Sequence, residues 1–130
     1  MPRYLSREWI GDLSAQVDAS AALADVAGQA SLRLTQVVTG APGGDVTYHL
    51  AVSDGSATFA SGAAADEEVR LESNWVTAVA VATGQLNAQD AFIQGRIRLH
   101  GDQAKLVAAV PVLSALDALV ADLRPRTTYE

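Results

Sequence analysis

Between Ser31 and Ser61 apolar side chains recur on every second residue, and this alternation constrains the fold more than any other feature of the chain. Leu32, Leu34 and Val38 alternate with Arg33 and Thr35, and Val46, Tyr48, Leu50 and Val52 alternate with Thr47, His49 and Ala51. A period of two puts alternate side chains on opposite faces of an extended strand, so both segments predict strands with one buried face. The connecting stretch APGGD and the later Asp54-Gly55 carry turn chemistry, because glycine accepts positive φ and proline sets the entry angle. Ala57, Phe59 and Ser61 continue the pattern, which predicts an antiparallel meander of three strands. A loop of small residues with the acidic run Asp66, Glu67, Glu68 leads to a short fourth strand around Val69 and Leu71.

Helical spacing flanks this block. Trp9, Leu13, Val17 and Ala21 recur every four residues, with Glu8, Asp12, Asp18 and Asp25 off the stripe. The spacing predicts an amphipathic helix over 6–27, capped by Ser6 and released at Gly28. Ser73 is the expected cap of a helix over 73–83, in which Trp75 and Val79 share a face with Ala82. Asn87 and Asp90 resemble a capping box that opens a short helix with Ala91, Phe92 and Ile93, ending at Gly95. Ile97 and Leu99 then alternate with Arg96, Arg98 and His100 as a fifth strand. Pro111 biases Val110 away from helix, so the final helical region is expected to break into 102–109 and 112–124, with a loose tail over 126–130. Strands in a block with helices gathered over one face predict one α+β domain over 1–130, its largely antiparallel sheet having five strands.

Composition narrows the function. The 130-residue chain is 49% hydrophobic and 18% charged, enough apolar surface for a true core. Fifteen acidic residues against nine basic ones leave a formal charge of −6, the wrong sign for a nucleic acid partner. Eight of the nine basic residues are arginine, a bias we read as that of a GC-rich bacterial genome. The absence of cysteine excludes disulfides, thiolate nucleophiles and cysteine metal sites. No apolar stretch long enough to insert stably in a membrane is present, and MPRYLSREW lacks the apolar core of a signal peptide, so a cytoplasmic location is expected.

Catalytic motifs are missing. His49 and His100 fall in no metal-ligand spacing and read as sheet-face residues. Gly40, Gly43 and Gly44 lack the following GK[ST] of a phosphate loop and read as a hairpin turn. The acidic run lacks the regular oxygen spacing of a calcium loop and reads as solvated, and no GxSxG elbow is present. No catalytic residue, metal or cofactor is therefore expected. The aliphatic faces of 73–83, the Phe92 segment and the last helix either enclose a pocket over the sheet or pack on one another at ordinary density.

The run TGQLNAQDAFIQGRIRLHGDQAKLVA, residues 83–108, resembles the signature of the sterol-carrier-protein type two domain family, through Gly84, Ala91, Phe92, Gly95, Arg96, Ile97, Gly101 and Asp102. The flanking order agrees over about 6–124: an initial helix carrying Glu8-Trp9-Ile10, a strand ending at Asp54-Gly55 and a closing amphipathic helix. The resemblance implies helices enclosing an apolar tunnel that holds a sterol, a fatty acid, an isoprenoid or a similar lipid without transforming it. It places Trp75, Val79, Leu86, Phe92, Ile93, Gln94 and Ile97 along the tunnel, with Leu113, Leu116 and Leu119 closing it. On this carrier reading Gln94 or Tyr48 orients the head, and the lipid is protected or passed to an enzyme partner.

Three features depart from the eukaryotic pattern. The chain ends in Thr128-Tyr129-Glu130 rather than a peroxisomal SKL-like tripeptide. Residues 6–27 hold one Arg against four acids, which argues against docking on anionic membranes. Only Arg96, Arg98, His100 and Lys105 are candidates to meet the phosphates of an acyl-CoA, so a neutral or carboxylate lipid is preferred. Two further readings stay open: an interaction module of the same fold that pairs subunits of a larger assembly or forms a homodimer seam without a ligand, and a small cone-shaped isomerase acting on steroid-like substrates.

Overall fold

The computed structural model describes residues 3–28, 31–53 and 55–129, so Asp54 of the expected turn and Glu130 of the tail lie outside the described residues. Its strands are β1 (Leu32–Thr39), β2 (Val46–Ser53), β3 (Ser56–Ser61), β4 (Val69–Asn74) and β5 (Arg98–Gly101), in the spatial order β3-β2-β1-β4-β5. Every neighbouring pair is antiparallel except β1 with β4. The meander β1-β2-β3 therefore runs outward, and the chain returns across the sheet to lay β4 beside β1.

Register converts the alternation into one continuous face. Leu34 stands opposite Leu50 and Val69, and Leu50 opposite Phe59, so the apolar sets of four strands align. Leu32, Leu34, Val38, Leu50, Val52, Phe59 and Val69 are all buried. Gln36 is the polar exception on this face. It stands opposite Tyr48, whose hydroxyl donates to Gln36 Oε1 at 2.7 Å. The opposite face is partly covered too: Thr35 is buried and its Oγ1 accepts from the Ala64 backbone at 3.0 Å.

Helices α1 (Arg7–Ala19) and α2 (Ala21–Ala27) lie against β3 and against α6 (Val110–Leu123). The single helix expected over 6–27 is thus two. Ser20 divides it, because its Oγ accepts the Leu23 amide at 3.0 Å and so caps a new helix where the old one would continue. Ser6 caps α1 as expected, accepting from Trp9 N at 3.2 Å, and Trp9, Ile10, Leu13 and Val17 form its buried stripe. The next helix, α3 (Trp75–Ala82), is capped by Asn74 rather than Ser73; Asn74 Oδ1 accepts from Thr77 N at 2.8 Å, and Ser73 remains in β4. After α4 (Ala88–Ile93) and α5 (Gln103–Ala108), α6 resumes at Val110 and holds Pro111 in its first turn, where a missing amide hydrogen costs nothing.

The signature glycine of the fifth strand has a steric reason. Gly101 adopts φ 106°, and a Cβ there would be driven into the Glu68 carbonyl. That carbonyl accepts Asp102 N at 3.0 Å, while Asp102 Oδ1 caps α5 through Lys105 N. The acidic run is a seam rather than a free loop. Glu68 accepts Arg33 N at 3.1 Å and pairs with Lys105 at 3.0 Å, and Glu67 forms a two-point pair with Arg70.

The expected loose tail is packed. After a short 3-10 turn over Arg124–Arg126, Thr127 is buried, Tyr4 N donates to Thr128 O at 2.8 Å, and the Tyr129 ring lies 5.2 Å from that of Tyr4. Apolar partners from the opposite chain end, invisible to local pattern, order this segment. Leu5, at φ 63°, turns the chain so that Tyr4 and Leu5 are both buried.

Candidate functional site

A cavity of about 320 Å³ opens between α1, α6, the end of α3 and the covered face of β1–β3. Its volume lies near the lower end of the ~300–1,000 Å³ typical of small-molecule sites. Trp9 and Leu13 come from α1, Phe59 from β3, Val81, Ala82 and Leu86 from the end of α3 and its exit, and Leu116 and Val120 from α6. The polar wall consists of Tyr4, Gln36, Tyr48, Asn87, Asp117 and Arg124. The expected apolar tunnel thus has, in this cavity, a polar side. Tyr4 stacks edge-on against Trp9 with centroids 4.8 Å apart, and Tyr48 lies 5.3 Å from Phe59.

Local geometry explains how the polar groups reach the cavity. Helix α6 carries Leu116 and Val120 four residues apart, and Arg124, four further on at the start of the 3-10 turn, continues the stripe. Arg124 Nε donates to the Ala82 carbonyl at 2.8 Å, so the C-terminal end of α3 fixes the guanidinium, as the negative end of a helix dipole favours. Gly84, at φ 80°, leaves the flanking space open; a Cβ there would lie 3.6 Å from an Arg124 Nη. Asp117 contributes to the wall from a partly exposed position, and partial loss of hydration raises its carboxyl from its ordinary value. Burial raises the phenols of Tyr4 and Tyr48 well above the usual tyrosine range, and the Asp117 charge adds to both shifts. Both phenols therefore stay protonated at any physiological pH, with the Tyr48 proton held on Gln36 Oε1.

Among the residues expected to line a ligand site, Leu86 and Leu116 stand in this wall. Trp75, Val79, Leu113 and Leu119 are partly buried against the main core, Trp75 with its ring 5.5 Å from Tyr4. Ile97 is half-buried, Gln94 is exposed, and Phe92 and Ile93 are 41% and 80% exposed. Tyr48, expected as a head-orienting group, is in the wall. Tyr4, Gln36, Asn87, Asp117 and Arg124 were not anticipated. Gln36 carried a legible signal, since it interrupts the apolar alternation of β1; Arg124 continues the four-residue stripe of the last helix.

Three members of the expected cation cluster, Arg96, Lys105 and His100, are engaged elsewhere, and Arg98 is exposed. Arg96 Nε donates to Thr77 Oγ1 at 3.2 Å, Lys105 pairs with Glu68, and His100 lies 3.7 Å from Glu72. His49 Nδ1 lies 3.0 Å from the Gly62 carbonyl. Among the described residues no group of three His, Cys, Asp or Glu side chains is placed to hold a metal ion. No helix among them is long and apolar enough to cross a membrane.

A sheet roofed by helices around a cavity with one polar side is the layout of a domain that encloses a small molecule. Solved structures share it. The crystal structure of a sterol carrier protein 2 superposes with a TM-score of 0.72 at 19% identity, covering 92% of this chain and 98% of that one. The solution structure of a conserved protein from Thermus thermophilus, described as possibly a sterol carrier protein, gives 0.73 at 19% identity, over 95% and 91% of the two chains. A ubiquinone synthesis protein, UbiJ-SCP2, gives 0.56 at 16% identity, over 95% and 96%. No curated protein matches by sequence. The SCP-2 sterol transfer family matches residues 10–114, and the chain belongs to that family.

Proposed function

We propose that the protein is a non-catalytic carrier that holds one lipid-like molecule in the cavity beneath α6. The observation that supports this reading most directly is the cavity itself, about 320 Å³ with eight apolar side chains and one polar side, in a chain of the SCP-2 sterol transfer family. Affinity comes from enclosure: each 100 Å² of ligand apolar surface removed from water contributes roughly 2.5 kcal/mol, before the costs of association. Leu86 and Leu116, with Trp9, Leu13, Phe59 and Val120, grip the apolar part, and the Gln36 amide, whose Oε1 already accepts from Tyr48, offers its N–H donors to a head.

Native mass spectrometry of the freshly purified protein, followed by organic extraction, tests the reading. A stoichiometric lipid, or saturable uptake of a medium-chain fluorescent fatty acid that Val120→Trp abolishes in a folded variant, is the expected result. A bare chain that ignores the probe overturns it. One observation favours a second reading, an interaction module: Val76, Phe92, Ile93, Val107 and Val110 are large apolar side chains left exposed. A dimer mass in the same spectrum, with no ligand, would support that alternative.

A further inference from the structure

Beyond the cavity, we propose that the outer edge of β5 receives an extended segment of a partner protein in which apolar and acidic side chains alternate. β5 ends the sheet, with β4 as its single neighbour in the strand order. Arg98, His100 and Gly101 are exposed, so the edge is open among the described residues. Backbone geometry fixes what it offers. Asp102 N donates to Glu68 O at 3.0 Å, so the Gly101 carbonyl, on the same planar trans peptide, points away from β4. That bond sets the alternation along the antiparallel pair: His100 and Arg98 exchange hydrogen bonds with Arg70 and Glu72, and the Leu99 amide and carbonyl turn to the open edge. Upstream the edge is closed, because Ile97 N donates back to the Ala91 carbonyl at 3.4 Å.

Side chains select the guest. A strand added outside β5 meets Arg98 and His100 on one face and Leu99 on the other. Arg98 makes no salt bridge among the described residues, whereas Arg70 is spent on Glu67 and Lys105 on Glu68. Glu72, one strand inward, lies 3.7 Å from His100. An acidic side chain on the guest therefore meets a free guanidinium. On the other face Leu99 packs against the buried cluster of Leu34 and Val69. The helices that lead into and out of β5, α4 and α5, carry the exposed Phe92, Ile93 and Val107, which suit apolar side chains at alternate positions of the guest. A second copy does not fit: β5 carries no acid, so self-pairing would set Arg98 against a strand of like charge.

Nuclear magnetic resonance of the isotope-labelled full chain tests the proposal, with two capped heptapeptides at low ionic strength, one alternating valine with glutamate and one alternating valine with lysine. The glutamate peptide is expected to bind about fivefold or more tighter, the gain of an opposite-charge over a like-charge cross-strand pair. Its shifts should centre on β5, with slowed exchange of the Leu99 amide. Arg98→Glu should reverse the preference, and Arg98→Gln, which removes only the charge, should bring the ratio to about one. The Gln variant keeps the test open should a reversed charge beside Glu72 weaken the fold. Equal affinity of the wild type for both peptides, binding of neither, a preference that survives both substitutions, or shifts away from β5 would overturn the proposal. The same shifts on concentrating the chain alone would make a second copy the occupant and overturn it too.

Discussion

Thr127→Val is the sharpest test of how the chain ends support the cavity. Trp9 Nε1 donates to Thr127 Oγ1 at 3.1 Å, and the same hydroxyl donates to the Leu123 carbonyl at 2.7 Å, all in the buried interior. This relay ties α1, which supplies Trp9 and Leu13 to the cavity wall, to the segment beyond α6. Valine matches threonine in shape, so the substitution removes the relay without opening a void. The Trp9 indole N–H is then left buried and unpaired, at about 1–3 kcal/mol, and the Leu123 carbonyl loses a bond worth roughly 1 kcal/mol. The sum is about 2–4 kcal/mol, or on the order of 10 °C in Tm for a domain of this size. Urea melts followed by far-ultraviolet circular dichroism give the difference directly. Combining Thr127→Val with Trp9→Phe should recover a coupling of about 1 kcal/mol, because the second substitution deletes the donor that the first one orphans. A Thr127→Val midpoint within about 0.5 kcal/mol of the wild type, with no coupling to Trp9→Phe, would refute the relay as a determinant of stability.

Gly101→Ala should destabilise the fold by about 3 kcal/mol or more, since the new Cβ meets the Glu68 carbonyl at a backbone conformation of φ 106°; an unchanged thermal midpoint would contradict that packing. Two carboxylates should respond to pH with opposite signs. The folded Asp117 carboxyl is raised by burial, with Tyr4, Tyr48 and Arg124 as the neighbouring groups in the wall, so its cost is absent at low pH and grows as pH rises through the carboxylate range. Asp117→Asn should therefore raise Tm at pH 7 and leave it unchanged near pH 3, and an equal effect at both values would rule out the burial penalty. The Glu68 carboxyl is lowered by its hydrogen bond to Lys105, so its contribution is present above the ordinary Glu range and lost as pH falls; Glu68→Gln should lower Tm at pH 7 and converge with the wild type in acid.

Much of the fold was legible because it depends on near neighbours in the chain. The alternation of Leu32, Leu34 and Val38 with Arg33 and Thr35 is a property of backbone geometry, and the strands appear where it predicts them. Helix starts were legible to within a residue or two, since Ser6, Asn87 and Asp102 act on amides only three positions away. The split at Ser20 escaped the periodicity because the apolar stripe runs across it; a hydroxyl choosing between two local acceptor roles leaves no mark on hydrophobic spacing.

The site was less legible, for a physical reason. Leu86 and Leu116 were expected in the wall from the family resemblance, and neither it nor apolar spacing reveals which polar groups share that wall. Tyr48 and Gln36 lie twelve positions apart and meet because β1 and β2 pair in one register. Arg124 and Ala82 lie 42 positions apart and meet because α6 ends beside the end of α3. By itself the sequence determined which residues form strands and helices and which faces are apolar, since those follow from dihedral geometry and short-range bonding. Only the tertiary structure decided that β4 lies parallel to β1, that the tail packs on Tyr4 and that Arg124 and Asp117 share one cavity wall. Those outcomes depend on contacts between segments far apart in the chain, where the partner, and not the local pattern, sets the energy.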